Sequence, residues 1–205
     1  MYNIVLDKNQ ISLLPLLKTF QKDFYLVGGT AMALNLYHRK SIDFDLFSKK
    51  EIKQNSIINN IIKLGYKIEH TLVNNKDELT VIISGVKVTF LYFPFEIDSS
   101  DFLIDEIIKA PDLLTLASMK AYAIGRRSKW KDYVDMYFLL KNGYSIENIS
   151  EKANSIFGGA FEEKLFRQQL CYFDDIDYTE QVEYIGENID DTEIKKYLYD
   201  IAVSL

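Results

Sequence analysis

The 205-residue chain is 48% hydrophobic and 26% charged, a balance that excludes disordered and fibrous classes and fits one globular domain with at most a modest appendage. Thirty acids against 24 Lys and Arg leave a net charge of −6, which argues against a protein that coats nucleic acid through bulk charge, while a local basic patch stays open. Cys171 is the only cysteine and His38 and His70 the only histidines, so an intramolecular disulfide, a Cys-based zinc cluster and a His-rich metal site are all excluded or hard to build. No window approaches the roughly 18 uncharged apolar residues of a membrane span. Met1–Lys8 carries no basic segment followed by an apolar core, so no membrane partner and a cytoplasmic location are expected.

Apolar residues at Ile11, Leu14, Leu17 and at Leu13, Leu16, Phe20 predict a helix over 8–20. The run Phe24–Val27 ends at Gly28-Gly29 and reads as a buried strand. Thr30 is a usable N-cap for a helix over Ala31–Tyr37, and 38–41 is a polar turn. The alternation of Ile42–Phe47 predicts a second strand. A helix over 50–63 stops at Gly65, and strands follow near 66–72, 79–84 and 86–93, the last two joined tightly around Ser84-Gly85. After Pro94 the strands are expected to stop, with helices at 111–125, 130–141, 146–156, 160–171 and 190–203. The pattern is an α/β (α+β) front half to about residue 108 and a helical back half.

Charge divides the back half. Between 118 and 141, Lys120, Arg126, Arg127, Lys129, Lys131 and Lys141 stand against Asp132 and Asp135, net +4. From 171 to 205, ten acids stand against Lys195 and Lys196, net −8. A solvated acidic face is the plain reading; a cover for a basic site or a docking face for a basic partner is the other.

Asp43 and Asp45 carry the most information. Residues i and i+2 of a strand share a face, Asp is disfavoured in strands, and like charges side by side repel. A bound cation removes that conflict, and two such carboxylates can converge on one or two Mg²⁺ ions. An exposed edge strand whose acids face water is the alternative. Gly28-Gly29-Thr30 at a strand-to-helix junction lets backbone N–H groups approach a phosphate at a helix N-terminus, where a plain tight turn is the rival. Together, strand, Gly-Gly-Thr, helix and Asp-x-Asp strand put a phosphate cradle beside a metal site, the two parts that phosphoryl or nucleotidyl transfer needs.

Gly28-Gly29-Thr30, twelve residues, then Asp43-Phe44-Asp45 resembles the polymerase-β-like nucleotidyltransferase superfamily. The longer strings Val27–Leu34 and His38–Phe47 narrow the resemblance to the AbiEii/AbiGii-type toxin nucleotidyltransferases of bacterial abortive-infection and toxin–antitoxin systems. It resumes at Leu116–Ala121 and at Lys131–Leu140, spanning roughly 24–141 with gaps. The resemblance implies a nucleotidyltransferase-fold mixed sheet flanked by helices over 1–108, and a helical region over 109–205 that completes the active-site cleft. It implies that Gly28, Gly29 and Thr30 hold the triphosphate of an NTP and that Asp43 and Asp45 coordinate Mg²⁺. Lys120 matches the motif lysine for the triphosphate, and Asp132 the acid near the nucleotide or acceptor.

The residues themselves support part of this. Lys120 and Arg127 are seven apart, so one helix face could aim both at a polyphosphate; Asp132 and Asp135, three apart, also share a face. For Asp132 the alternative is an ordinary first-turn acid, and for Lys120 a snorkelling stem. Arg39 is a further candidate phosphate contact, His38 reads as a turn residue, and Tyr133, Tyr137 and Phe138 read as core rather than a base-stacking platform.

One departure stands out: Thr89 occupies the position where many members of the superfamily carry a third acid that helps activate the attacking hydroxyl. Either another acid such as Asp132 substitutes, or the acceptor is activated differently, or the protein binds nucleotide without transferring it. The expected function is Mg²⁺-dependent transfer of an NMP group from an NTP to an acceptor hydroxyl. RNA, a tRNA end foremost, is the acceptor the resemblance brings forward, with a toxin's role and a cognate antitoxin as partner. The alternatives are a non-catalytic nucleotide-binding or interaction protein with a degraded site, and a small-molecule nucleotidyltransferase.

Overall fold

The structure, a computed structural model, describes residues 2–104 and 106–204. The chain separates into two compact units, one holding the residues up to Leu34 with Lys40–Asp112, the other Asn35–Arg39 with the chain from Leu113 onward. The division therefore falls after Asp112 rather than 108, and the short segment 35–39 belongs with the helical residues.

In the first unit, α1 (Lys8–Ser12) is capped by Asp7, whose side chain accepts from Gln10 N while the Gln10 side chain returns the bond to Asp7 N. The single helix expected over 8–20 is two, because Pro15 in the first turn of α2 (Leu14–Phe20) has no N–H for a continuous ladder. β1 (Tyr25–Val27) then leads into α3 (Gly28–Leu36), followed by β2 (Asp43–Ser48) and α4 (Gln54–Lys63). β3 (Ile68–Asn74), β4 (Glu78–Ile83) and β5 (Val86–Tyr92) complete a five-stranded mixed sheet of order β1-β2-β5-β4-β3, with only the β2–β5 pair parallel. Ser84 and Gly85, both at positive φ, form the two-residue turn from β4 to β5. Contrary to the expected end of strands at Pro94, β6 (Asp101–Leu103) pairs antiparallel with β7 (Ile108–Ala110). Three-residue strands are too short for alternation to show in the sequence.

Parity sorts the sheet. Phe44 and Leu46 of β2, Leu79, Val81 and Ile83 of β4, and Val88 and Phe90 of β5 are fully buried. Their neighbours Asp43, Asp45, Glu78, Lys87 and Thr89 stand on the opposite face and are partly exposed. On the core face, Phe90 meets the rings of Phe20 and Phe24 at 4.9 and 5.3 Å in edge-to-face geometry.

The second unit contains α5 (Leu113–Ile124), α6 (Trp130–Lys141), α7 (Ile146–Phe157), α8 (Glu163–Leu170) and α9 (Asp191–Val203), within a few residues of the helices the periodicity predicts. Ala117, Ala121 and Ile124 of α5, Tyr133, Val134, Met136 and Leu139 of α6, Ile149 of α7, Leu170 of α8 and Leu198 of α9 form its core. Tyr133 and Tyr137 are buried, as the core reading of that stripe expects. Ser145 and Asp190 cap α7 and α9 through their side chains.

Truncating Phe90 to Ala removes a fully buried ring from three mutually packed aromatics. A loss of about 3–5 kcal/mol in unfolding free energy is expected, measured as a lower denaturant midpoint at unchanged m-value.

Candidate active site

Gly28 joins β1 to α3 at φ +70, a conformation that disfavours any side chain. A Cβ on Gly28 would lie 2.3 Å from Asp45 Oδ2, so the Asp45 carboxylate occupies the space that glycine leaves open. This close approach follows from sheet register, since Val27 is paired with Asp45. Thr30 does not act as the expected N-cap. It lies within α3, and its hydroxyl contacts Ser41 Oγ at 2.8 Å and the Asp43 main-chain carbonyl. Thr30 thus fastens the first turn of α3 to the start of β2, a role that sequence spacing could not reveal.

Asp43 and Asp45 share one face of β2. Asp43 Oδ2 lies 2.9 Å from Lys87 Nζ, and register puts Lys87 opposite Asp43 and Thr89 opposite Asp45. Lys87 escapes sequence reading because the pairing of β2 with β5 is non-local. Among the described residues no group of three or more His, Cys, Asp or Glu could hold a metal ion. Mg²⁺ does not need one, because it is commonly held by one or two carboxylates with phosphate and water oxygens completing its shell. Two carboxylates on one strand face, one lying against a glycine that leaves it room, fit that requirement.

The helical unit holds a buried chain of charges. Asp135 Oδ1 accepts from His38 Nε2 at 2.8 Å and Arg39 Nε at 2.7 Å, and Oδ2 from Arg39 Nη2 at 3.0 Å. Lys120 Nζ lies 2.9 Å from Asp135 Oδ2 and 2.6 Å from Asp132 Oδ1. Arg127 Nε closes the chain at 2.8 Å from Asp132 Oδ2. The side chain of Lys120 is only 5% exposed, whereas that of Arg127 is 53% exposed. Arg39, a candidate phosphate contact in the sequence, is instead bidentate on Asp135, and His38 is a buried donor rather than a plain turn residue. α5 ends at Ile124, so Lys120 and Arg127 do not share a helix face; Asp132 brings them together.

Burial raises the Asp135 pKa, but the Arg39 and Lys120 charges and the bonds from His38 and Arg39 outweigh it and hold the carboxyl well below the usual range. Asp132 is also lowered: burial opposes ionisation, and Lys120 and Arg127 overcome it. Lys120 is raised, since the two aspartates outweigh burial and the repulsion of Arg127.

The acids of the C-terminal stretch are exposed, as the plain reading expects, except Glu180, which is half-buried. Asp177 bridges to Lys129 through the main chain, Ser128 donates to Asp175 at 3.0 Å, and Glu180 pairs with Lys129 and, at 3.4 Å, with Lys131. Glu180 answers two of the cations whose net excess the sequence shows, a partner some 50 residues away that the sequence does not reveal.

A β2 bearing Asp-x-Asp, joined through the Gly-Gly start of α3 to its neighbour β1, defines a nucleotidyltransferase-fold protein. The profile described as "Nucleotidyl transferase AbiEii toxin, Type IV TA system" matches residues 16–193, and the chain belongs to that family of nucleotidyltransferase toxins. Among relatives, Uncharacterized protein aq_aa25 of Aquifex aeolicus (strain VF5) is 29% identical over 191 residues, covering 86% of this chain and 88% of its own. MenT4, a nucleotidyltransferase toxin of Mycobacterium tuberculosis H37Rv, shares the fold at TM-score 0.62 and 9% identity, over 95% of this chain and 82% of that one. JHP933 of Helicobacter pylori does so at TM-score 0.60 and 16% identity, over 97% and 91%. Family membership makes the chain a nucleotidyltransferase of that toxin family.

Gly28→Ala is expected to displace the Asp45 carboxylate and strain the left-handed backbone, lowering transferase activity at least tenfold with about 1–3 kcal/mol lost in stability. Parallel rate and denaturation measurements check both. Asp135→Asn leaves Arg39 and Lys120 without their shared counter-charge and is expected to cost about 3–5 kcal/mol at neutral pH. Because the folded-state pKa of Asp135 lies below the unfolded value of about 3.9, its contribution is present above that value and is lost as pH falls through the folded pKa. The wild type should therefore lose more stability than Asp135→Asn between neutral pH and strong acid, in denaturant titrations across that range.

Proposed function

We propose that this nucleotidyltransferase moves an NMP group from an NTP to an acceptor hydroxyl on RNA, with a tRNA end as the first candidate, in the presence of Mg²⁺. The observation that carries the reading is the Asp43 and Asp45 pair on one face of β2, with Gly28 leaving room for the Asp45 carboxylate. Asp43 and Asp45 would hold Mg²⁺, and Gly28, Gly29 and Thr30 at the start of α3 would receive the triphosphate, where main-chain N–H groups and the helix dipole favour negative charge. Held by Asp43 and Asp45, Mg²⁺ would supply positive charge against the triphosphate and its leaving pyrophosphate. Lys87 balances Asp43 and keeps its carboxylate oriented.

Lys120 and Arg127 are proposed as the triphosphate's cations, and Asp132 as the residue that orients them. Arg127 is the more exposed of the two and presents a planar fork suited to phosphate. Lys120 contributes charge from within the network. The toxin's partners would be an NTP, the acceptor RNA and a cognate antitoxin. The cytoplasm, where NTP and Mg²⁺ are abundant, is its proposed compartment; among the described residues no helix is long and apolar enough to cross a membrane.

Label transfer from each α-phosphate-labelled NTP with Mg²⁺ and total cellular RNA tests this reading, with the protein itself also inspected as an acceptor. Labelled RNA is expected with wild type, falling by about 10²-fold or more in Asp45→Asn and to background on chelation. Label found only on a small molecule, or on no product while NTP still binds, would overturn the RNA acceptor.

A further inference from the structure

The third superfamily acid is replaced by Thr89, and the sheet shows what stands behind that threonine. Thr89 lies between Asp45 on β2 and Thr80 on β4, its register partners on either side. Neighbouring strands are about 4.8 Å apart, so side chains on this face meet across the sheet. Thr80 Oγ1 is 3.3 Å from Thr89 Oγ1 and 2.6 Å from Glu78 Oε1, Glu78 being two residues earlier on the same face of β4. Thr80 is buried, whereas Thr89 and Glu78 are partly exposed.

The chemistry of the groups sets a direction. An ionised carboxylate only accepts, and a hydroxyl has one proton to give. With Thr80 donating to Glu78, the contact between the threonines is completed by the proton of Thr89. Thr89 Oγ1 then presents its lone pairs to an incoming hydroxyl on the face that carries Asp45. Asp132 is a poor alternative base, because both of its oxygens are bonded to Lys120 and Arg127 and its proton affinity is lowered.

We propose that Thr89, Thr80 and Glu78 form a proton relay that takes the place of the third acid, with Glu78 as the terminal proton acceptor. The proposal rests on the nucleotidyl-transfer reading above. As the acceptor oxygen bonds to the α-phosphorus, its proton passes to Thr89 Oγ1, the Thr89 proton to Thr80 Oγ1, and the Thr80 proton to the Glu78 carboxylate. The electron pair of the broken phosphorus–oxygen bond leaves with pyrophosphate. Glu78, partly exposed, returns its proton to water.

The test compares wild type, Asp45→Asn, Glu78→Gln, Thr80→Val and the double variant Glu78→Gln/Thr89→Asp. It measures transfer kinetics in H₂O/D₂O mixtures, calorimetric binding of Mg²⁺-NTP, and thermal melting. Glu78→Gln is isosteric and lies at a partly exposed site, so it is the deciding variant if Thr80→Val, at a buried position, does not fold. Glu78→Gln is expected to lower kcat by about 10²-fold, with the NTP KM and calorimetric affinity within about threefold of wild type. Wild type should give a curved proton inventory, the mark of more than one proton in flight. Thr89→Asp in the Glu78→Gln background should recover most of the rate and straighten that inventory, since a carboxylate beside Asp45 takes the proton directly. Glu78→Gln with undiminished kcat, where Asp45→Asn is inactive, would overturn the relay and leave nucleotidyl transfer standing. Wild type with no transfer to any acceptor would overturn the transfer reading and the relay together.

Discussion

Alternation along β2 is the constraint on which the first unit depends. Phe44 and Leu46 must face the core, and a period of two then forces Asp43 and Asp45 onto the other face. A one-residue slip would bury both carboxylates and expose the two apolar side chains. The core therefore sets the position of the acids as firmly as their chemistry does. The parallel partner β5 repeats the arrangement, with Val88 and Phe90 inward and Lys87 and Thr89 beside the carboxylates. β4 extends it with Thr80 and Glu78. One hydrophobic core thus orders a polar surface three strands wide.

The helical unit solves a different problem. Charges removed from water require paired and hydrogen-bonded partners, or their desolvation is not repaid. Here Arg39, Asp135, Lys120, Asp132 and Arg127 alternate in sign, so each buried charge has an opposite neighbour. Three cations against two acids leave one positive charge over, and the chain ends at the most exposed member, Arg127. An apolar cluster of similar volume would contribute comparable stability. What the charges add is a fixed orientation for Lys120 and Arg127.

Much of this was legible in local sequence. The helices from 113 to 203 have apolar periodicities that survive folding almost unchanged, because each buries one stripe against its neighbours. Gly28-Gly29-Thr30 and Asp43-Phe44-Asp45 could be located, since a strand-to-helix junction and an alternating strand are local patterns. The break before Pro15 and the short pair β6–β7 were missed for opposite reasons. In the first, apolar spacing continued through a proline that interrupts the hydrogen bonds; in the second, three-residue strands leave no period to detect.

By itself the sequence determined the order of elements, the strand that carries the two aspartates, the glycine junction and the family to which these belong. All of these depend on residues within a few positions of one another, where covalent geometry and side-chain period act directly. Only the tertiary structure decided that Lys87 pairs with Asp43, that Arg39 and His38 serve Asp135, and that Thr89 leads through Thr80 to Glu78. Those partners come together through strand pairing or helix packing, which depend on how the whole core is filled. No spacing along the chain encodes them.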